Sequence, residues 1–148
     1  MSRTEQFCTF FLDGHFFGVP VQHVQEVIRY QEMTRVPLVP EVVRGLINLR
    51  GQIVTAVDLR KRLKMRDRPA DSLPMNVVAR TDDGPVSLLV DEIGDVLEVS
   101  EEAYEKAPEN MSAEQKEMID GVYKLEQRLL LVLNVDRALQ VDGGSQVA

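Results

Sequence analysis

Strand-like runs of apolar residues alternate with polar turn residues along the chain, and this pattern predicts hairpins. Two pairs of runs flank an Asp-Gly dipeptide: 7–12 and 16–21 around Asp13-Gly14, and 77–81 and 86–90 around Asp83-Gly84. Asp-Gly between such runs favours a tight hairpin because both residues tolerate a positive φ. Two further apolar runs, 53–57 and 129–133, are typical of strands buried on both faces or bent around a small barrel. The pattern therefore predicts a chain built mainly from strands.

The sequence also repeats part of itself. Residues 119–135 align without a gap on residues 43–59 at a spacing of 76, so that Gly121 matches Gly45. A second match, at a spacing of 69, aligns two shorter segments, 21–27 and 90–96. Two repeats are too few for a solenoid. We therefore expect two copies of one small unit packed about a pseudo-two-fold axis.

Helical signals are few and short. The predicted helical turns follow capping residues: 59–64 after Asp58, 135–139 after Asn134, 113–118 after Ser112, and 41–44 after Pro40. One turn differs between the repeats, because Glu126-Gln127 stands where the first copy has Arg50-Gly51. A non-glycine residue with positive φ costs on the order of 1 kcal/mol. We therefore expect a different turn type in the second copy.

Composition narrows the function classes. The 148 residues fit one domain, and a formal charge of -7 argues against nucleic acid as the main partner. The single cysteine, Cys8, rules out an internal disulfide, and no 18-residue apolar run occurs, so a cytoplasmic protein without direct membrane insertion is expected. One basic cluster departs from the acidic average: Arg60, Lys61, Arg62, Lys64, Arg66 and Arg68. We interpret it as a solvated helix and linker, with docking on an acidic protein surface as the alternative.

The residues carry no recognisable catalytic chemistry. The glycines form no phosphate-binding loop, and Cys8 has no triad around it. His15 and His23 lack a third ligand at metal spacing. The sequence therefore predicts no catalytic residue, no metal and no cofactor, and a protein that is not an enzyme. A small β-barrel hydrolase or ligand-binding protein is the alternative from another class, and it requires a pocket with convergent polar groups.

Two opposite charges lie at the ends of predicted strands. Glu26 follows Val24-Gln25, and Arg50 occupies the tip of the first central hairpin. If the strands are neighbours, the two side chains can pair. Beside exposed apolar residues such as Val24 and Val27, such a pair would fix the register of a partner and reject wrong partners.

The run of residues 43–60 resembles the signature of the CheW family of bacterial chemotaxis coupling proteins. The resemblance spans residues 5–141 and includes four further segments, 24–27, 90–96, 119–122 and 129–135. It implies an all-β fold of two small five-stranded SH3-like β-barrels, with a few short helical turns. We expect a single CheW-like domain over 1–148, with approximate halves 5–68 and 74–141, strand exchange between them as an open alternative, and a disordered tail at 142–148.

The resemblance also implies a function. Family members are adaptors that join the cytoplasmic tips of chemoreceptors to the regulatory domain of the CheA histidine kinase. The resemblance implies that four residues bind the receptor: Val24, Glu26, Val27 and Arg50. Signature positions with a coupling or a structural role are Arg44, Gly45, Asn48 and Gly51. We expect a monomer in isolation, located at the receptor array through its partners. The alternative is an adaptor of the same fold in a chemosensory pathway for surface motility or second-messenger output.

Overall fold

The computed structural model describes residues 3–140, so the predicted tail at 142–148 lies outside the described residues. The strands are β1 (Thr4–Leu12), β2 (His15–Pro20), β3 (Val24–Ile28), β4 (Val43–Leu49), β5 (Gln52–Asp58), β6 (Met75–Thr81), β7 (Gly84–Val90), β8 (Glu92–Ser100), β9 (Tyr104–Glu105), β10 (Ile119–Lys124) and β11 (Leu129–Leu133). The helices are α1 (Leu59–Arg62), α2 (Ala113–Met118) and α3 (Val135–Ala138), with short 3-10 turns at Val21–His23 and Glu101–Ala103. Across residues 3–140, no helix has the length and apolar character needed to cross a membrane.

Two sheets share one strand order. The first runs β8-β1-β2-β11-β10 and ends with the two-residue strand β9, and the second runs β3-β6-β7-β5-β4. In each sheet one parallel pair, β2–β11 or β5–β7, joins two antiparallel hairpins. The all-β fold of two SH3-like barrels is therefore confirmed, with β9 as an additional strand that was not predicted. We call the two units the six-stranded barrel and the five-stranded barrel.

The strand registers confirm the internal repeat. At the spacing of 76, the paired residues Gly45 and Ala56 correspond to the pair Gly121 and Val132. At the spacing of 69, the pair Val27 and Val77 corresponds to the pair Val96 and Cys8. Each of these four ladders also contains an irregularity in its register. Because pairs and bulges recur together, the two spacings seen in the sequence correspond to one structural unit that occurs twice.

Each barrel contains strands from both halves of the chain. Hairpin β1–β2 lies in the sheet of β8–β11, and hairpin β6–β7 lies in the sheet of β3–β5. The chain therefore changes sheet twice, after β2 and again after β7. The boundaries 5–68 and 74–141 stay a prediction for the halves of the sequence, whereas the sheets themselves are not divided there.

Hydrophobic residues form one large shared cluster and two smaller ones. The shared cluster contains residues of both sheets and of all three helices, among them Phe10, Phe17, Val24, Leu59, Val77, Leu88, Met118, Leu133 and Leu139. The interior of the six-stranded barrel contains Phe7, Phe16, Val99, Tyr123, Leu130 and Val132. The interior of the five-stranded barrel contains Ile47, Leu49, Val54, Ala56, Val78 and Leu89. The two barrels thus share a core and are packed together.

Three of the four predicted helical turns are present. The side chain of Asp58 accepts hydrogen bonds from the amides of Arg60 and Lys61 in α1, and that of Asn134 accepts one from the amide of Arg137 in α3. Ser112 forms a capping box at the start of α2. The predicted helix 41–44 is wrong, because the Val43 amide donates to the Pro40 carbonyl in a turn and β4 begins at once. A proline that can open a helix has instead opened a tight turn.

The hairpin turns differ in type. In the first central hairpin Arg50 and Gly51 have φ values of 50° and 90°, whereas neither Glu126 nor Gln127 has a positive φ, which confirms the expected difference. The predicted residues of the turn between β6 and β7 are wrong. Thr81 pairs with Gly84, so the two turn residues are Asp82 and Asp83 and not Asp83-Gly84.

The interpretation of the basic cluster as solvated is wrong for two of its members. The side chains of Arg60 and Arg68 are only 8% and 6% exposed. Both are bound to Asp91, which a reading of local charge density could not identify because it lies more than 20 residues away along the chain.

Candidate functional site

The structure brings Glu26 and Arg50 together. Glu26 lies on β3, and Arg50 lies in the turn between β4 and β5. Nη2 of Arg50 donates to Oε2 of Glu26. Because β3 and β4 are the two end strands of the five-stranded sheet, this ion pair spans the gap between them. The predicted pairing is therefore present, and it joins two edges of one barrel.

The pair keeps both side chains charged. The hydrogen bond from Arg50 lowers the pKa of Glu26 below its usual range, and the same contact raises the pKa of Arg50. The Arg50 side chain is 72% exposed, whereas that of Glu26 is 20% exposed. A positive φ at Arg50 lifts this residue to the tip of the turn. The arrangement leaves the Arg50 guanidinium exposed to solvent and half-buries its counter-ion, Glu26.

The apolar surface near this pair differs from the predicted one. Val27 is 38% exposed, but Val24 is only 9% exposed and belongs to the shared core, so it is not available to a partner. Alternation along β3 places Val27 on the opposite face from Glu26. Ile53, which sequence reasoning missed, is 61% exposed next to the Arg50 turn. Its position at the start of the apolar run 53–57, two residues after Gly51, was the available signal.

Most signature residues build the hairpin that carries Arg50. The side-chain oxygen of Asn48 accepts a hydrogen bond from the Gly51 amide at 2.8 Å and closes the turn. Gly45 lies under the segment before β4, where Thr34 and Leu46 exchange two backbone hydrogen bonds of 2.8 Å. Arg44 extends to the cap of α1, with Nη1 at 3.5 Å from the carboxylate of Asp58. For Gly45, Asn48 and Gly51 the geometry supports the structural role.

A second feature is an apolar cleft on the six-stranded barrel. It has a volume of about 600 Å³ and lies between the β1–β2 turn, β11, the end of α1 and the segment before α2. Its lining includes Phe16, Leu63, Met65, Met111, Leu129 and Leu131. At its edge the guanidinium of Arg128 lies 4.9 Å from the centre of the Phe16 ring. Among residues 3–140, no group of three or more His, Cys, Asp or Glu is placed to hold a metal ion.

Comparison with known proteins gives consistent matches. A family model described as a CheW-like domain matches residues 6–142. A relative from Bacillus subtilis with the name chemotaxis protein CheW is 32% identical over 135 residues, which cover 91% of this chain and 86% of the relative. A relative with the same name from Klebsiella aerogenes is 29% identical and covers 91% and 81%. The solved structure of the scaffolding protein TtCheW from Thermoanaerobacter tengcongensis is similar with a TM-score of 0.85 at 23% identity, over 95% of this chain and 96% of that one.

Proposed function

The chain belongs to the family of CheW-like domains, and on that basis we propose that it is a non-enzymatic adaptor in chemotaxis signal transduction. In this proposal its partners are the cytoplasmic tip of a chemoreceptor and the regulatory domain of a CheA-type histidine kinase. It acts in the cytoplasm, at the receptor array to which these partners bring it.

The Glu26–Arg50 pair is the observation that carries the assignment of the receptor face. An interface needs charged groups that fix orientation beside apolar groups that can lose their water. The exposed Arg50 supplies the first, and the exposed Ile53, in the strand that follows the Arg50 turn, supplies the second. An acidic group on the receptor tip is the expected counterpart of Arg50.

The proposed mechanism is a shift of populations and involves no chemical step. An adaptor bound to receptor and kinase together links the two binding equilibria. A receptor state that favours one arrangement of the joint contact then favours the corresponding kinase state. The shared core suits this role, because residues of both barrels pack in one cluster.

Charge reversal at Arg50 tests the proposal. Arg50→Glu places two carboxylates together and removes the exposed cation, so we expect binding of a chemoreceptor cytoplasmic fragment to weaken by about tenfold or more. Binding of the kinase regulatory domain and the midpoint of urea unfolding should stay close to wild type. Both affinities are measured by calorimetric titration with partners from the same genome.

Two further variants sharpen the test. Lys124→Glu is a matched control, because it reverses an exposed charge on β10 of the other barrel. The double variant Glu26→Arg with Arg50→Glu restores an ion pair of opposite polarity. If the double variant recovers receptor binding, the pair acts through hairpin geometry and Arg50 does not contact the receptor. Failure of wild type to bind either partner would reject the adaptor function itself.

A further inference from the structure

Three segments distant in sequence meet at the carboxylate of Asp91. Asp91 lies where the chain leaves β7 and enters β8, and Arg60 of α1 binds it through Nε at 2.9 Å and Nη2 at 2.6 Å. The backbone amide of Asp13, in the β1–β2 turn, donates to Asp91 at 2.7 Å. This set ties the first half of the chain to the second.

Two arginines of the linker join the same set. The linker is the segment 63–74, which connects α1 to β6. Nε of Arg68 donates to Asp91 at 3.0 Å, and Nε of Arg66 donates to the carboxylate of Asp13 at 2.9 Å. We call the contacts of Arg66 and Arg68 the linker clasp. In addition, Nη1 of Arg60 donates to the Arg66 carbonyl at 3.2 Å, so backbone and side chains of the linker are both held.

The linker clasp is expected to contribute little to the stability of the fold. The Arg68 side chain is 6% exposed and that of Asp91 is 15% exposed, so both charges have lost most of their water. Nη2 of Arg68 is buried without a hydrogen-bond partner among the described residues. Buried ion networks often contribute less to stability than hydrophobic groups of equal size, and their best-documented role is to select one arrangement. The role indicated for the linker clasp is therefore to select one of two possible arrangements of the chain.

The barrels present one such choice. Each barrel needs strands from both halves, and the linker is the connection between the halves. If the linker folds back, the two halves of one chain complete each other. If it extends, the first half of one chain can combine with the second half of another to give two identical, complete bodies in an exchanged dimer. The core contacts are the same in both cases, so the linker decides between them.

The internal repeat supports this reading. At the spacing of 69, Asp91 and Asp13 correspond to Gln22 and Asp82, and at 76 Arg60 corresponds to Asp136. Only Asp13 keeps its residue type, so the Arg60–Asp91 ion pair has no counterpart on the equivalent side of the pseudo-two-fold axis. A barrel of this type can be built without it. The set occurs only where the chain passes from one half to the other.

We propose that the linker clasp specifies the monomer by holding the linker folded back against exchange of halves between two chains. Arg68 and Arg66 are positioning residues in this device. Arg60 and Asp91 form the platform to which the linker binds, and their mutual contact can also form between chains.

The test is the oligomeric state of Arg66→Gln with Arg68→Gln after refolding from urea at a series of chain concentrations. Size-exclusion chromatography with light scattering measures the dimer fraction. We expect a severalfold rise over wild type, increasing with chain concentration during refolding. Arg80→Gln is the matched control, because Arg80 is exposed and, within residues 3–140, donates to the Gln22 carbonyl at 3.3 Å and not to the linker or to Asp91. Arg68→Gln alone, which leaves more of the set in place, should give a smaller rise.

Exchange is distinguished from surface association by the amide spectrum of the dimer. In an exchanged dimer the barrels are unchanged, so amide shifts outside 63–74 should match those of the monomer. A dimer fraction equal to wild type in both variants would overturn the proposal. A dimer whose shifts change on an outer barrel face, with an unchanged linker, would also overturn it.

Discussion

Among single residues, Gly45 has little room for change. A Cβ atom added there would lie 2.6 Å from the carbonyl oxygen of Thr34, which is backbone and cannot rotate away. We expect Gly45→Ala to lower the free energy of unfolding by about 1–3 kcal/mol, in the range of overpacked sites. Gly14→Ala is the comparison: nothing lies within 4 Å of its added Cβ, so only the backbone cost of its φ of 80°, about 1 kcal/mol, is expected. Urea unfolding measures both, and a larger loss for Gly14→Ala would contradict the steric argument.

Asp91 gives the protein a defined dependence on acid. Burial alone would raise the pKa of Asp91, but the hydrogen bonds from Arg60 and from the Asp13 amide, with the charges of Arg60 and Arg68, outweigh it and lower the pKa below its usual value. A group with a lowered pKa in the folded state stabilises the fold above its unfolded pKa, about 3.9 for Asp. This stabilisation is lost as the pH falls through the folded pKa.

The corresponding measurement is urea unfolding as a function of pH. Wild type should lose stability as the pH falls below about 4, whereas Asp91→Asn should be less stable near neutral pH and lose less on acidification. Asp82→Asn, in an exposed turn, is the control and should follow wild type. Equal acid sensitivity in Asp91→Asn and wild type would mean that other carboxylates dominate.

Residue types predicted part of the site and missed part. The opposite charges of Glu26 and Arg50 suggested their pairing, because a hairpin tip and a neighbouring strand can bring them together. The burial of Val24 could not be predicted in the same way, because an apolar residue on a short strand can lie on the buried face or on the exposed face of the sheet. The charge of Arg68 predicts a solvated side chain, because charged side chains usually are solvated, and only the tertiary fold supplies its buried partner, Asp91.

Among the secondary-structure elements, the two equivalent helix caps have unequal surroundings. Asp58 is 3% exposed and accepts hydrogen bonds from the amides of Arg60 at 3.0 Å and Lys61 at 3.3 Å. Asn134 is less buried and accepts one, from Arg137 at 3.0 Å. Removal of an ordinary cap costs about 1 kcal/mol, and unpaired buried donors add about 1–3 kcal/mol. We therefore expect Asp58→Ala to lower the unfolding free energy more than Asn134→Ala, as measured by urea titration. Equal losses would mean that burial does not distinguish the caps.

The elements themselves were largely predictable, for a physical reason. Turn and cap residues act through their nearest neighbours in the chain, so Asp13-Gly14 and Ser112 predict their hairpin and helix without knowledge of the rest of the fold. The helix expected after Pro40 failed because the same residue also opens turns, and pairing with β5 decided between them. The shift of the β6–β7 turn to Asp82-Asp83 likewise follows from strand register, which is not a local property.

For the molecule as a whole, the sequence pattern could not predict that each sheet contains a hairpin from the other half of the chain. Alternation of apolar and polar residues tells which face of a strand is buried, but not which strand lies next to it. Hairpin β1–β2 pairs with β8 and β11 of the second half, while β3 of the first half pairs with β6. The repeat makes both choices plausible in sequence, because each hairpin resembles its counterpart. Only the three-dimensional structure distinguishes them.

This topology predicts that the halves depend on each other. A fragment of residues 1–68 would lack β6 and β7, the middle of the five-stranded sheet, and a fragment of residues 69–148 would lack β1 and β2 of the other sheet. Each would also expose its part of the shared core. We expect neither fragment alone to give dispersed amide resonances, whereas an equimolar mixture should recover a spectrum close to that of the intact chain.

Doubling the concentration of either fragment alone provides the control, since it supplies the same mass of chain without the missing strands. A well-dispersed spectrum from residues 1–68 alone would mean that hairpin β1–β2 can replace β6–β7 in its own half. The repeat makes that substitution conceivable, because the two hairpins occupy equivalent places in the two sheets. The substitution is opposed by size: Phe10 stands where the five-stranded sheet has Ala79, and both are fully buried. Overpacking of this kind costs about 1–3 kcal/mol at each site. This cost favours the observed arrangement, in which β6–β7 and not β1–β2 lies in the five-stranded sheet.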